Sequence, residues 1–279
     1  MAGMTDGIVA GYDGSPGSER ALRWAAREAQ ARRVKLKVCL AWALEYLALL
    51  GDATVYDLAQ RRGEEILSRG LAYARSVVGP GAVVPLLARG SPARVLCEHS
   101  ATAEMVVVGS RGRGGLAGLL LGSVAWQLAA HGQGRVVVVR GQERRANRAP
   151  GPVVAGADGS PASQAAVAFA FEEAELRDVP LVAVCALADT PASLGGAHRV
   201  EEDFDRSMAQ QEKEHPEVTV LRRVAQGSPR AALLDAAYEA QMVVVGARGR
   251  GGLKGMLLGS AAQALLHHAP CPVGVVHQP

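Results

Sequence analysis

The chain has 279 residues, 49% of them hydrophobic and 20% charged, and its net charge is only +3. That hydrophobic share excludes general disorder, and the near-neutral balance excludes a dedicated nucleic-acid surface, which needs a concentrated basic face. No stretch approaches the roughly 18–20 uninterrupted apolar residues of a membrane helix, and the opening MAGMTDGIVAGYDG lacks a basic segment followed by an apolar one, so a soluble cytoplasmic protein is expected.

Ile8 to Gly11 reads as a short apolar strand, and the DGSPGSE that follows carries turn and helix-start chemistry. Ser15 is placed to accept from an orphan backbone N–H, and Pro16 fits the first helical position because its missing N–H is not needed there. Ala21, Leu22, Ala25 and Ala29 recur at helical spacing. Leu36 to Trp42 reads as a second strand, followed by a helix with Leu67, Leu71 and Ala74 on one face. Ala82 to Leu87 is expected as a third strand, and Ser91-Pro92 opens a helix by the same Ser-Pro device. Met105 to Val108 is a fourth strand, followed by a glycine-rich loop, a helix from about Ser123 and a last strand Val136 to Val139. Strands apolar throughout and separated by helices mean a parallel sheet covered on both faces. Cys39, Cys97, Cys185 and Cys271 are far apart with no CxxC, so neither a disulfide nor a metal site is expected.

The whole pattern occurs twice. IVAGYDGSPGSERALRWAAREA returns as VVAGADGSPASQAAVAFAFEEA from Val153, and RGSPARVL at Arg89 returns as QGSPRAAL at Gln226. GSRGRGGLAGLLLGS at 109 returns as GARGRGGLKGMLLGS at 246, identical at 12 of 15 positions. The early segments are offset by 145 residues and the late ones by 137, so the second copy is shorter in its middle. A repeat of this length is a domain. The expected organisation is a first domain over 1–140, a polar Gly- and Pro-bounded linker over 141–152, and a second domain over 153–279. LADTPASLGGAHRVEEDFDRS, in the middle of the second copy, reads as a lid or a longer connection.

An open parallel sheet binds ligands beyond the carboxyl ends of its strands, where the strand order reverses, and the repeated loop leaves such an end. Glycines there turn sharply and let a ligand approach the backbone. Gly122-Ser123 opens a helix whose free N–H groups favour an anion, and Arg111 and Arg113 are placed to pair with phosphate oxygens. Glycine-rich turns also arise from tight packing alone. No Gly-Lys-Ser/Thr is present, and Gly112-x-Gly114-x-x-Ala117 matches a dinucleotide fingerprint only loosely, after the fourth strand instead of the first.

Gly109-x-x-Gly112-x9-Gly122-Ser123, repeated as Gly246-x-x-Gly249-x9-Gly259-Ser260, resembles the ATP-binding signature of the universal stress protein family. The DGSP turns at Asp13 and Asp158, the GSP turns at Gly90 and Gly227, and HHAPCPVGVV resemble the same family, over nearly the whole chain. The resemblance implies two tandem doubly wound α/β domains of the adenine nucleotide alpha hydrolase-like type, each a five-stranded parallel sheet with helices on both faces. It implies that ATP, with or without Mg²⁺, lies across the strand ends. In the first copy the implied site is Ala10, Asp13, Ala41, Gly109, Arg111, Gly112, Arg113, Gly122, Ser123 and Val124. In the second it is Ala155, Asp158, Leu187, Gly246, Arg248, Gly249, Arg250, Gly259, Ser260 and Ala261. Asp13 and Asp158 would lie near ribose and phosphates, and the backbone at Ala41 and Leu187 against adenine. On the residues alone, an Asp before Gly-Ser is equally an Asx turn. The turn before the last strand departs from the family form in the first copy, where Gln133, Gly134 and Arg135 replace Pro270, Cys271 and Pro272.

Three functions remain open at this point: an ATP-binding, non-catalytic stress-response module, a slow ATPase or phosphotransferase, and a nucleotide-free dimerising scaffold. Phosphoryl transfer needs a placed base and usually carboxylate-held Mg²⁺, and no second acid stands beside either loop. The two copies are expected to pair around a pseudo-two-fold through their final strands, with a homodimer of chains also compatible.

Overall fold

The computed structural model describes residues 7–42, 53–114, 120–141, 150–187, 194–250 and 257–278. Most of the expected linker lies outside these residues, as does Gly115 of the first glycine-rich loop. The chain divides into a first unit, Met1–Val139, and a second, Arg140–Pro279.

In the first unit the elements are β1 (Ile8–Gly11), α1 (Pro16–Arg32), β2 (Leu36–Trp42), α2 (Ala53–Val78), β3 (Val83–Arg89), α3 (Pro92–Ser100), β4 (Met105–Gly109), α4 (Ser123–His131) and β5 (Arg135–Val139). The strands are parallel, in the order β3-β2-β1-β4-β5. The order reverses between β1 and β4, and the crevice outside the carboxyl ends at such a switch point is where open parallel sheets accommodate ligands. The α1–α2 pair covers one face and the α3–α4 pair the other. That is why Ile8, Val9, Ala10, Val106 and Val107 are apolar without alternation: both faces of the central strands are buried.

The second unit repeats this plan with β6 (Val153–Gly156), α5 (Pro161–Arg177), β7 (Leu181–Leu187), α6 (Leu194–Glu214), β8 (Val220–Gln226), α7 (Pro229–Ala237), β9 (Met242–Gly246), α8 (Ser260–His268) and β10 (Val273–Val276). Its strand order is β8-β7-β6-β9-β10, again parallel. The segment read as a lid or connection is corrected here: from Leu194 it forms α6, which buries Phe204 and Met208 against the sheet. Gly195, Gly196 and Ala197 near its start hide a helix anchored, among the described residues, by Phe204 and Met208, four apart.

Ser15 caps α1 as expected, its hydroxyl accepting from the Ser18 N–H, and Ser160 caps α5 identically through Ser163. The expectation for Ser91 is corrected: Pro92 begins α3, but the Ser91 hydroxyl makes no cap bond. Its ψ is 124°, against 157° at Ser15, outside the extended geometry of the capping serine. One buried ion pair recurs in both units, with Glu28 meeting Arg32 at 2.6 Å and Glu173 meeting Arg177 at 2.5 Å, each one turn apart on the first helix. Among the described residues, no helix is long and apolar enough to cross a membrane.

Candidate functional site at the strand exits

In the first unit Asp13, just past β1, reaches across the switch point. One carboxylate oxygen accepts the Ser15 N–H at 2.9 Å, an Asx turn, and the other accepts the Arg113 N–H at 2.8 Å. Burial by itself raises this carboxyl; hydrogen bonds from Ser15, Arg113 and Ser18 outweigh it and hold the group below the ordinary carboxylate range. The group is therefore an anion at neutral pH, and it fastens the loop after β4 to the turn after β1. The other end of that loop is closed where the Gly122 N–H donates to the Ser110 carbonyl at 2.7 Å.

The glycines divide by what a Cβ would meet. At Gly109 it would lie 2.5 Å from the Gly17 carbonyl, so the strand exit needs glycine to pack on α1. At Gly112 it would lie 2.6 Å from the Asp13 carboxylate, so the fastening itself excludes a side chain. Gly122 is different. Its backbone, at φ −79° and ψ 154°, suits any residue, and the nearest atom to a Cβ would be the Ser110 oxygen at 3.3 Å. Gly259 repeats this, with φ −68° and a nearest atom at 3.5 Å. Backbone strain accounts for glycine at neither position; at Gly259 the packing leaves room for a Cβ, while at Gly122 the Ser110 and Arg111 backbone would have to yield by a few tenths of an ångström.

Gly122 borders a cavity of about 550 Å³ at the carboxyl ends of β1, β2 and β4. That volume falls within the range of small-molecule sites. Asp13, Ala41, Gly109, Arg111, Gly112, Arg113, Ser123 and Val124 line it too, so nine of the ten residues expected in this copy are brought together. Ala10 is not; it is fully buried inside β1, and Gly11 and Tyr12 reach the cavity in its place. The floor was not foreseen: Cys39, Leu96 and Val108 supply an apolar surface, and burial pushes the Cys39 thiol up to about 12, so it serves as a neutral wall. Leu96 and Val108 both press against Gly11, as Leu233 and Val245 press against Gly156, so the repeat itself carried the signal. At the rim, α4 begins at Gly122 without any side-chain cap, whereas α1 is capped internally by Ser15. The first N–H groups of α4 are thus left for an anion.

The second unit repeats the fastening. Asp158 accepts from the Ser160 N–H at 2.9 Å and the Arg250 N–H at 2.8 Å, and Gly259 closes the loop on the Ala247 carbonyl at 2.8 Å. Burial raises the Asp158 carboxyl, and bonds from Ser160, Arg250 and Ser163 again bring it below the usual range. Gly246 packs 2.8 Å from Ala162, and Gly249 abuts Asp158 as Gly112 abuts Asp13. Arg248 is exposed, Ser260 and Ala261 open α8, and Ala155 is buried in β6 as Ala10 is in β1. The pairing of Ala41 with Leu187 is corrected by one residue. Gly90 bonds the Trp42 carbonyl and Gly227 the Leu187 carbonyl, so Leu187 corresponds to Trp42 and Ala41 to Ala186. Burial raises the Cys185 thiol to about 11. Among the described residues, no group of three His, Cys, Asp or Glu side chains is arranged to hold a metal ion.

The profile of the universal stress protein family matches the chain twice, over residues 4–140 and 151–277. A universal stress protein of Mycolicibacterium smegmatis is 37% identical over 289 residues, covering 97% of this chain and 96% of that protein. One of Mycobacterium tuberculosis is 36% identical over 302 residues, covering 98% and 95%. Among solved structures, a universal stress protein from Archaeoglobus fulgidus has a TM-score of 0.72 at 18% identity, with 99% of this chain and 100% of that one covered. A further one described as a putative universal stress protein, from Pseudomonas aeruginosa, has a TM-score of 0.68 at 19% identity, covering 98% and 94%. At those identities the structures speak for the fold, and the curated relatives and the double profile match speak for descent. The chain belongs to the universal stress protein family, as a tandem member with two copies of the family domain.

Proposed function

We propose that each unit binds an adenine nucleotide, ATP by preference, and that the protein acts as a nucleotide-responsive stress-response module without chemistry of its own. The observation that carries this reading is the glycine at the uncapped start of a helix in both units, at Gly122 and Gly259, where φ does not ask for one and, at Gly259, packing does not either. A phosphate chain against that helix start accounts for the missing side chain, because a Cβ there would stand where oxygens approach the N–H groups. The apolar floor of Cys39, Ala41, Leu96 and Val108 suits a flat base, and Arg111 and Arg113 at the rim suit the negative tail. Family membership supports the same reading.

Binding without turnover is favoured by the state of the acids. Both oxygens of Asp13, and both of Asp158, already accept backbone N–H groups, and their depressed proton affinity makes them poor bases. Each oxygen keeps a second lone pair, enough for a water-mediated contact to Mg²⁺ carried in with the phosphates. Occupancy then acts by favouring the loop arrangement that the ligand prefers.

The test is to denature the purified full-length protein and resolve the supernatant by anion exchange. ATP released in proportion to protein supports the reading. ADP accumulating with time in the native protein would favour a slow ATPase, and a supernatant without nucleotide, from protein that also takes up none when ATP is added, would contradict it.

A further inference from the structure

The two exits share their backbone and differ in what faces them from the second helix of each unit. In the first unit Ile66 of α2 lies against Gly14, its methyl 3.0 Å from where a Cβ would stand, and Arg69 approaches the same turn. Among the described residues, neither Arg69 nor Arg113 has a carboxylate at ion-pair distance. In the second unit the place of Ile66, 137 residues on, is taken by Asp203 of α6. Asp203 forms an ion pair with Arg250, the counterpart of Arg113, and meets Arg206, the counterpart of Arg69, at 2.9 Å. This corrects the expectation that no second acid stands beside either loop: the acid comes from a helix, 47 residues away in the chain. Arg250 is also drawn toward the Gly159 carbonyl at 3.4 Å. One acid thus engages the counterparts of both first-unit arginines. Asp205, which replaces Ser68 on the same helix, is paired with Arg222 at 3.6 Å.

We propose that Asp203 sets the affinity of the second site: its carboxylate competes with the phosphate chain for Arg250, so the two units hold the same nucleotide unequally and the first fills before the second. This rests on the nucleotide reading above. The physical reason is that an arginine already paired must exchange one anion for another, while the nearby acid repels the incoming phosphates. In the first unit no described acid engages the Arg113 side chain, and Ile66 adds no charge. Asp203 and Arg250 are each about one-third exposed, at 30% and 36%, so the exchange is possible without unfolding the unit. An exposed pair of this kind is weak, which makes the acid a graded competitor instead of a permanent block.

Two measurements on the full chain test this separately. First, nucleotide-free protein is treated with phenylglyoxal and the modification of each arginine is followed by peptide mass spectrometry. Arg250 should react more slowly than Arg113, and Asp203→Asn or Asp203→Ile should remove the difference. Equal rates in the unaltered protein, or an Arg250 rate that neither variant changes, would overturn the competition. Second, ATP is titrated into a Gly122→Val background, in which only the second site is open. Adding Asp203→Asn should tighten binding by up to about fivefold, the scale of an exposed ion pair. An unchanged dissociation constant would overturn the role of Asp203. Absence of ATP binding in the unaltered protein, with the arginine difference still present, would overturn the nucleotide reading and the affinity role together. The near-isosteric Asn variant keeps the test valid should Ile disturb α6.

Discussion

The exits of the two units are built from the same bonds and tuned by different neighbours. Asp13 and Asp158 fasten their loops with the same two distances, 2.9 and 2.8 Å, and Gly122 and Gly259 close them alike. The neighbours that differ come from helices. On α1 the first unit has Gly17, where a Cβ would collide with the Arg111 carbonyl, while the second unit has Ala162 in that place. On α2 it has Ile66, where the second unit has Asp203. In the proposed reading, main-chain geometry supplies the capacity to hold an anion, and side chains reaching in from elsewhere adjust how strongly each unit would do so.

Breaking what the units share should have the largest effect. Glu173 is fully buried against Arg177, and Glu28 plays the same part beside Arg32. Removing one partner of a buried pair leaves the other charge in low dielectric, so Glu173→Ala should destabilise the second unit by about 3–5 kcal/mol. Chemical denaturation, with hydrogen exchange to assign which unit opens, checks this; no change would mean that water already solvates the pair.

A smaller effect sharpens the difference on the first helices. Gly17→Ala imports the second unit's residue into the first and should cost about 1–3 kcal/mol by overpacking against the Arg111 carbonyl. Thermal unfolding reads this, and a neutral result would show that the first loop stands off as readily as the second.

The arginines separate the units next. Arg113→Ala should weaken ATP binding at the first site by about 1–3 kcal/mol, the loss of a charge-assisted bond. Arg250→Ala should cost the second site less, because that guanidinium is already engaged by Asp203. Equal losses in single-site titrations would contradict the inequality.

Acid is the mildest probe and treats both units alike. The folded-state values of Asp13 and Asp158 are depressed, so the stability they contribute is full above an unfolded-state pKa of about 3.9 and is lost as pH falls through the folded-state values. Hydrogen exchange at the Arg113 and Arg250 amides should rise over that window, after correction for intrinsic rates. Protection that persists after both acids are protonated would remove them as the fastening.

Much of this was legible in the sequence because it is local. Apolar runs gave the strands, Ser15-Pro16 and Ser160-Pro161 gave two capped helix starts, and the glycine spacing located the exits. What escaped depends on residues far apart in the chain. The bond from Arg113 to Asp13 spans 100 residues, and the pair between Arg250 and Asp203 spans 47. No pattern in a short window reports either. Spacing alone likewise merges the roles of Gly109 and Gly112 with that of Gly122, and only their neighbours separate them: two of the three are glycine for packing, and one faces the cavity. The equivalence of Leu187 with Trp42 shows the usual limit of strand boundaries, an error of one residue that the hydrogen-bond register removes. The exchange of Ile66 for Asp203 is a different case, because the 137-residue offset, carried back into the second helices, aligns the two positions from the amino-acid order alone.

The most direct test is calorimetric titration of ATP into the full chain and into Gly122→Val, Gly259→Val and the double variant. At Gly259 the added side chain meets only ordinary contacts and at Gly122 the loop backbone yields by a few tenths of an ångström, so all four proteins should stay folded. Stoichiometry should fall from two sites to one in each single variant and to none in the double. A folded double variant that still takes up two ATP molecules would contradict the account.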